Sequence, residues 1–167
     1  MNSGSKEELI QKLTAWVQSV GIPVQVGELA GETFLPGLTI DSGTLMVDPA
    51  RLDWPGDILH EAGHIAVAPP SQRSALGGKL EVTPADEMAA LAWSYAAAVS
   101  AGIDPAIVFH SGGYKNGGAE LLSSYAVGLA SGGPGVPMLQ WYRMTKRFPV
   151  MDNWLRQCED PTADIAI

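Results

Sequence analysis

The sequence predicts an α+β fold in which a helix, a small sheet and a further set of helices share one domain over residues 1–167. Three observations carry that expectation. Apolar residues repeat at helical spacing from Leu9 to Val20. Residues 22–52 are cut by Pro23, Gly27, Gly31, Pro36 and Gly37, and hold two short runs suited to strands. From Asp53 onward helix-forming stretches return, among them the Ala-rich run from Pro84 to Ala101. A length of 167 residues with 46% hydrophobic content is enough for one real core and short of two.

Taken in order, Ser5 and Glu8 form a capping-box pattern, after which Leu9, Ile10, Leu13, Trp16, Val17 and Val20 line one helix face until Gly21 supplies a stop. Leu38 to Ile40 and Thr44 to Val47 read as strands, with Asp41-Ser42-Gly43 as the hairpin turn between them. Asp53 is the expected N-cap of the next helix, with Pro55 in its first turn. That helix runs from Gly56 to about Ala68, where Pro69-Pro70 stops it. Ser71 to Leu80 reads as an exposed connection. Thr83-Pro84-Ala85-Asp86 starts the Ala-rich helix, and Gly102 ends it. The Gly-rich segment from His110 to Gly118 reads as a mobile loop able to close over a ligand. Glu120 to Ala130 and Met138 to Met144 are expected to be helical, and the acidic tail beyond Gln157 to be frayed.

Charge narrows the partners. With 10 Lys plus Arg against 18 Asp plus Glu, the net charge of −8 repels a phosphate backbone, so no nucleic-acid partner is expected. Lys6, Glu7, Glu8 and Lys12 occupy the region where a signal peptide needs an apolar run. The longest apolar stretch, Met88 to Ala101, is interrupted by Ser94 and Ser100, so no membrane span is expected. Cys158 is alone and fits a reducing compartment. The expectation is a cytoplasmic protein; nothing in the sequence sets an oligomeric state.

The chemistry concentrates in His60-Glu61-Ala62-Gly63-His64, an HExxH motif inside a predicted helix. Four residues advance a helix by about 6 Å and slightly more than one turn, so both imidazoles project from one face and can share a metal ion. Glu61, about 100° round from His60, can serve as a general base without ligating. Two polar residues of a helix face could also fall four apart by accident. An accidental HExxH should occur in roughly one chain in two hundred of this size, before any demand for a helix. Two of the chain's 3 histidines are used here. Metal binding is therefore the reading carried forward, with Zn2+ as the expected ion.

Zinc chemistry usually asks for a third protein ligand. The positions where a metzincin would continue with Gly and His hold Val67 and Pro70, which excludes that extension. Glu87, in the first turn of the Ala-rich helix, is the preferred candidate, set against the possibility that it only serves the helix dipole. Asp86, Glu120 and His110 are the alternatives. His110 has a second possible role, stabilising charge on a bound carbonyl, and a plainer one as a solvated polar residue. Tyr114 and Tyr125 read as amphipathic core or surface residues.

The helical His60-Glu61-Ala62-Gly63-His64, preceded by a small sheet and followed by Glu87-Met88-Ala89-Ala90-Leu91-Ala92, resembles the zincin-like metalloproteases, and among them the ImmA/IrrE type. The resemblance covers about Leu38 to Ala101. It implies a zincin-like fold, His60, His64 and Glu87 as zinc ligands, Glu61 as catalytic base, and hydrolysis of a peptide bond in a peptide or protein substrate. In the second motif Met88 and Leu91 stand where that family has Ala and Phe. The alternative is a non-catalytic zincin-like module that keeps the metal and acts by binding a partner protein.

Overall fold

The computed structural model describes residues 3–77, 81–114, 117–127 and 132–162. Helix α1 (Ser3–Ser19) begins two residues ahead of the capping pattern and buries Ile10, Leu13 and Val17. Trp16 meets Trp93 and Trp154 edge to face, with centroids 5.8 and 4.8 Å away. Gly21 ends the helix at φ +96°, where the Gly21 N–H reaches Gln18 and the Ile22 N–H reaches Val17.

Three strands follow: β1 (Val24–Val26), β2 (Leu38–Asp41) and β3 (Thr44–Val47). β2 and β3 are the expected antiparallel hairpin, turning at Ser42 (φ +50°) and Gly43 (φ +73°). β1, which lies in the Gly/Pro-punctuated region, pairs parallel to β3, so the order is β1-β3-β2 and β2 is an edge strand. Leu38, Ile40, Leu45 and Val47 point into the core, while Thr39 and Met46 alternate to the outer face.

Helix α2 (Asp57–Val67) carries the HExxH residues. It starts later than Asp53 suggests: residues 54–56 form turns that pass so close to Ile107 that a Cβ on Gly56 would lie 2.0 Å from its carbonyl oxygen. Pro69-Pro70 ends α2 as expected, but Pro70 also opens a short helix, α3 (Pro70–Arg73), in what reads from sequence as an open connection. Arg73 turns back to donate to the carbonyls of Ile65, Ala68 and Arg156. Buried Arg156 joins it, donating to Val67, Cys158 and Glu159 carbonyls and lying 4.0 Å over the Tyr142 ring. The two guanidinium groups thereby satisfy the carbonyls that the end of α2 leaves open. They also order the chain past Gln157, where a frayed tail is expected. The part of that tail beyond Thr162 lies outside the described residues.

Helix α4 (Pro84–Ala101) is capped at Thr83, whose hydroxyl accepts from the Asp86 N–H at 3.1 Å, and closes on Gly102 at φ +65°. It packs along α2 more extensively than any other pair of helices. The sequence reason is side-chain size: Ala62, Ala66, Ala89 and Ala90 are fully buried, and Gly63 faces Ala90 so closely that a Cβ would lie 2.8 Å from the Ala90 carbonyl oxygen. This close approach brings the start of α4 beside the HExxH face. Gly63→Val should force the pair apart and cost about 1–3 kcal/mol of folding stability, read by urea unfolding. An unchanged midpoint would show that the contact tolerates the added methyls.

A 3-10 turn (Pro105–Ile107) leads to α5 (Ser111–Tyr114), α6 (Gly117–Ala126) and α7 (Val136–Trp141). Here the structure corrects the expected open loop from His110 to Gly118. Apart from residues 115–116, which lie outside the described residues, the segment after His110 is helical. Its glycines serve close packing: a Cβ on Gly112 would meet the Trp54 indole at 2.6 Å, and one on Gly118 the Phe109 carbonyl oxygen at 2.5 Å. The expected end of the following helix at Ala130 also falls outside the described residues. The described chain is therefore α+β, with a three-stranded sheet and seven helices among the described residues.

Candidate metal centre

His60, Glu61 and His64 form a group able to hold a metal ion, with one ligand atom from each lying within 4.8 Å of the others. The helix accounts for the imidazole pair: one turn separates the rings, whose centroids are 4.7 Å apart at 86°. Their Nε2 atoms approach to 3.2 Å. From α4, Glu87 reaches the same point, with Oε1 3.3 Å from His60 Nε2 and Oε2 3.3 Å from His64 Nε2. Donors around a tetrahedral ion bound at about 2.0–2.1 Å stand about 3.3–3.4 Å apart. The two nitrogens and the Glu87 carboxylate therefore have the spacing of three ligands to one such ion. Glu61 borders this triangle, with its ligand atom within 4.8 Å of those of both imidazoles.

The charge balance fits a cation. Burial alone would pull His60 below the ordinary histidine range, but the Glu87 hydrogen bond and charge, with Glu61 and Asp57 behind them, raise it instead. His64 takes the opposite course: burial first, then the nearby His60, lower it to about 4. Glu87 is held below the usual carboxylate range by the hydrogen bond from His60. Burial pushes Glu61 up to about 7. A divalent ion between these groups would take the place of the proton that His60 and Glu87 share.

Tyr114 adds a contact beyond the core or surface place its sequence position suggests. Its hydroxyl lies 3.1 Å from His60 Nδ1, the nitrogen facing away from the triangle. Burial, reinforced by Asp57, Glu87 and Glu61, raises the phenol above its ordinary range and keeps it neutral. Were His60 Nε2 to hold an ion, Nδ1 would carry the proton and donate to the phenol oxygen. Tyr114→Phe should weaken metal affinity about 10- to 100-fold in competition with a chelator. Wild-type affinity in that variant would reduce the contact to packing.

The alternative ligands lie elsewhere. Asp86 receives hydrogen bonds from Thr83 at 2.8 Å and Tyr142 at 2.6 Å, which commits its carboxylate to the helix start. Glu120 is exposed on α6. His110 does not join the group; its Nε2 meets Asp57 Oδ1 at 2.7 Å, and its ring stacks on Trp54. Asp57 was missed, although the signal was present: positions 57, 60, 61 and 64 share one helix face.

The triangle opens on a cleft of about 730 Å3, lined by His60, Glu61, His64 and Glu87 on one side and by Leu38, Thr39 and Ile40 of β2 on another. Phe34, wholly exposed, stands at its rim with Leu35. No helix among the described residues is long and apolar enough to cross a membrane. Comparison with protein-family models, with curated proteins and with solved structures finds no match.

Proposed function

We propose that this chain is a zinc-dependent peptide-bond hydrolase with a zincin-like site, in which His60, His64 and Glu87 hold the ion and Glu61 is the general base. The observation that carries this reading is the triangle of donors at 3.2–3.3 Å, bordered by the half-buried Glu61 carboxylate and open to a cleft. Nitrogen and carboxylate donors at this spacing suit zinc. When bound, such an ion supplies Lewis acidity, which acidifies a water and polarises a carbonyl.

The remaining steps belong to the chain's own groups. Glu61 accepts a proton on its carboxylate as the oxygen of water bonds to the carbonyl carbon. It returns that proton to the amide nitrogen as the C–N bond breaks, so the acid ends the cycle as it began. Its position between solvent and core favours both halves, because burial raises the carboxyl in the metal-free fold and so makes its carboxylate a stronger base than an exposed one. Tyr114 orients the His60 ring through its hydroxyl, which can accept the Nδ1 proton when Nε2 faces the ion. β2, an edge strand among the described residues with Leu38, Thr39 and Ile40 along the cleft, supports an extended peptide as substrate, which would add to it as a strand.

Elemental analysis of the purified protein, with a peptide library before and after chelation, tests the proposal. One zinc per chain, with cleavage lost on chelation and restored by zinc, is the expected result. Stoichiometric zinc with no peptide cleaved would favour a binding module. Absence of any bound ion would overturn the metal assignment.

A further inference from the structure

His110 and Asp57 form a buried pair that the proposed hydrolysis does not use. His110 Nε2 lies 2.7 Å from Asp57 Oδ1, and the imidazole lies flat on the Trp54 indole, with centroids 4.3 Å apart and planes 3° from parallel. The other ring nitrogen, Nδ1, is buried without a hydrogen-bond partner. An apolar ring would fill this place against Trp54 with no unsatisfied ring nitrogen, but it would take the His110 partner from the buried Asp57 carboxylate. What imidazole adds is a directed bond to Asp57.

That bond points toward the metal-facing histidine, because Asp57 and His60 stand three residues apart on α2, on one face. His110 and Tyr114 stand four apart on the facing segment, and Tyr114 meets His60 Nδ1 at 3.1 Å. Two rungs therefore join the segments: His110 to Asp57, and Tyr114 to His60. Gly112 lets the backbone between them press onto Trp54, where a Cβ would be 2.6 Å from the indole. The segment is thus held by a directed bond, a stacked ring and a close backbone contact, all one turn from His60.

We propose that His110, clamped by Asp57 and Trp54, is a positioning residue for the metal centre, setting the register in which Tyr114 holds His60. The proposal rests on the metal reading of His60. It assigns His110 neither to the ion nor to the reacting carbonyl, the two chemical roles its sequence position suggested. The precision required is high, since a hydroxyl displaced by an ångström no longer receives the Nδ1 proton.

A double-mutant cycle read in zinc affinity tests it. Wild type, His110→Phe, Tyr114→Phe and the double variant are titrated against a chromogenic chelator, with circular dichroism confirming that each is folded. His110→Phe should lower affinity by about tenfold or more. In the Tyr114→Phe background the same change should alter affinity by less than about twofold, because the contact it supports is already gone. Should His110→Phe not fold, Trp54→Leu removes the stack at a half-exposed site, and its cycle with Tyr114→Phe decides instead. Wild-type affinity in folded His110→Phe, or an equal loss with and without the Tyr114 hydroxyl, overturns the proposal and leaves the metal centre standing. A wild-type protein that binds no zinc at all overturns the centre, and this role with it.

Discussion

His60→Ala should take the zinc content from one ion per chain to none detectable. The expectation comes from the site's economy, because the two Nε2 atoms and the Glu87 carboxylate stand at ligand spacing with only Glu61 gathered beside the two imidazoles among the described residues. Asp86, Glu120 and His110 are committed or remote, and Glu61, the remaining neighbour, would leave a single nitrogen among carboxylates, a poor set for zinc. The same substitution should leave the fold intact. The His60 side chain is 13% exposed at the cleft wall, and the packing of α2 on α4 runs through Ala62, Gly63 and Ala66 on other positions. Thermal unfolding separates the two effects. A ligand that binds only the folded state raises stability by RT ln(1 + [L]/Kd), so added zinc should raise the wild-type midpoint and leave that of the variant unmoved. The variant should unfold near chelated wild type. Retention of a stoichiometric ion by His60→Ala would mean that the donor triangle is not where the ion sits.

Much of this centre is legible in the chain because it is local. His60, Glu61 and His64 are brought together by one turn of helix, and helical periodicity reads that directly. Glu87 is less local: its 23-residue separation from His64 says nothing by itself. The Ala-rich face after Glu87 and the small pair Ala62-Gly63 do, because two helices stripped of bulk pack closely, and the start of one then lies beside the middle of the other. Tyr114 and the His110–Asp57 pair could not be read this way. They depend on how a Gly-rich segment settles 46 or more residues after the motif, and glycine marks flexibility and close packing with the same letter. Read as flexibility, it predicts a mobile loop; the Trp54 and Phe109 contacts show close packing. β1 escaped notice for a related reason. Three residues between Pro23 and Gly27 carry no periodicity, and only pairing with β3 makes them a strand.

Glu61→Gln should separate chemistry from metal binding. The amide has nearly the shape of the acid but cannot accept the proton of an attacking water, so hydrolysis should fall by about 10²- to 10⁴-fold while zinc content stays at one per chain. A second consequence is independent of any substrate. Burial raises Glu61 from 4.5 to about 7 in the metal-free fold. Below pH 4.5 both folded and unfolded chains keep this proton, and no penalty arises. Between pH 4.5 and 7 the unfolded chain releases it while the folded chain retains it, so stability falls as pH rises. Above about 7 the difference levels off at about 3 kcal/mol against the folded state. Gln carries no such charge. Metal-free Glu61→Gln should therefore match wild type in urea unfolding at about pH 4 and exceed it by up to about 3 kcal/mol at about pH 8. Equal stability at both pH values would show that Glu61 is better solvated than its surroundings suggest, and a base so hydrated has no reason to work near neutrality. Full hydrolytic activity in the variant would remove Glu61 from the reaction altogether, leaving the two imidazoles and Glu87 as a metal site without its own base.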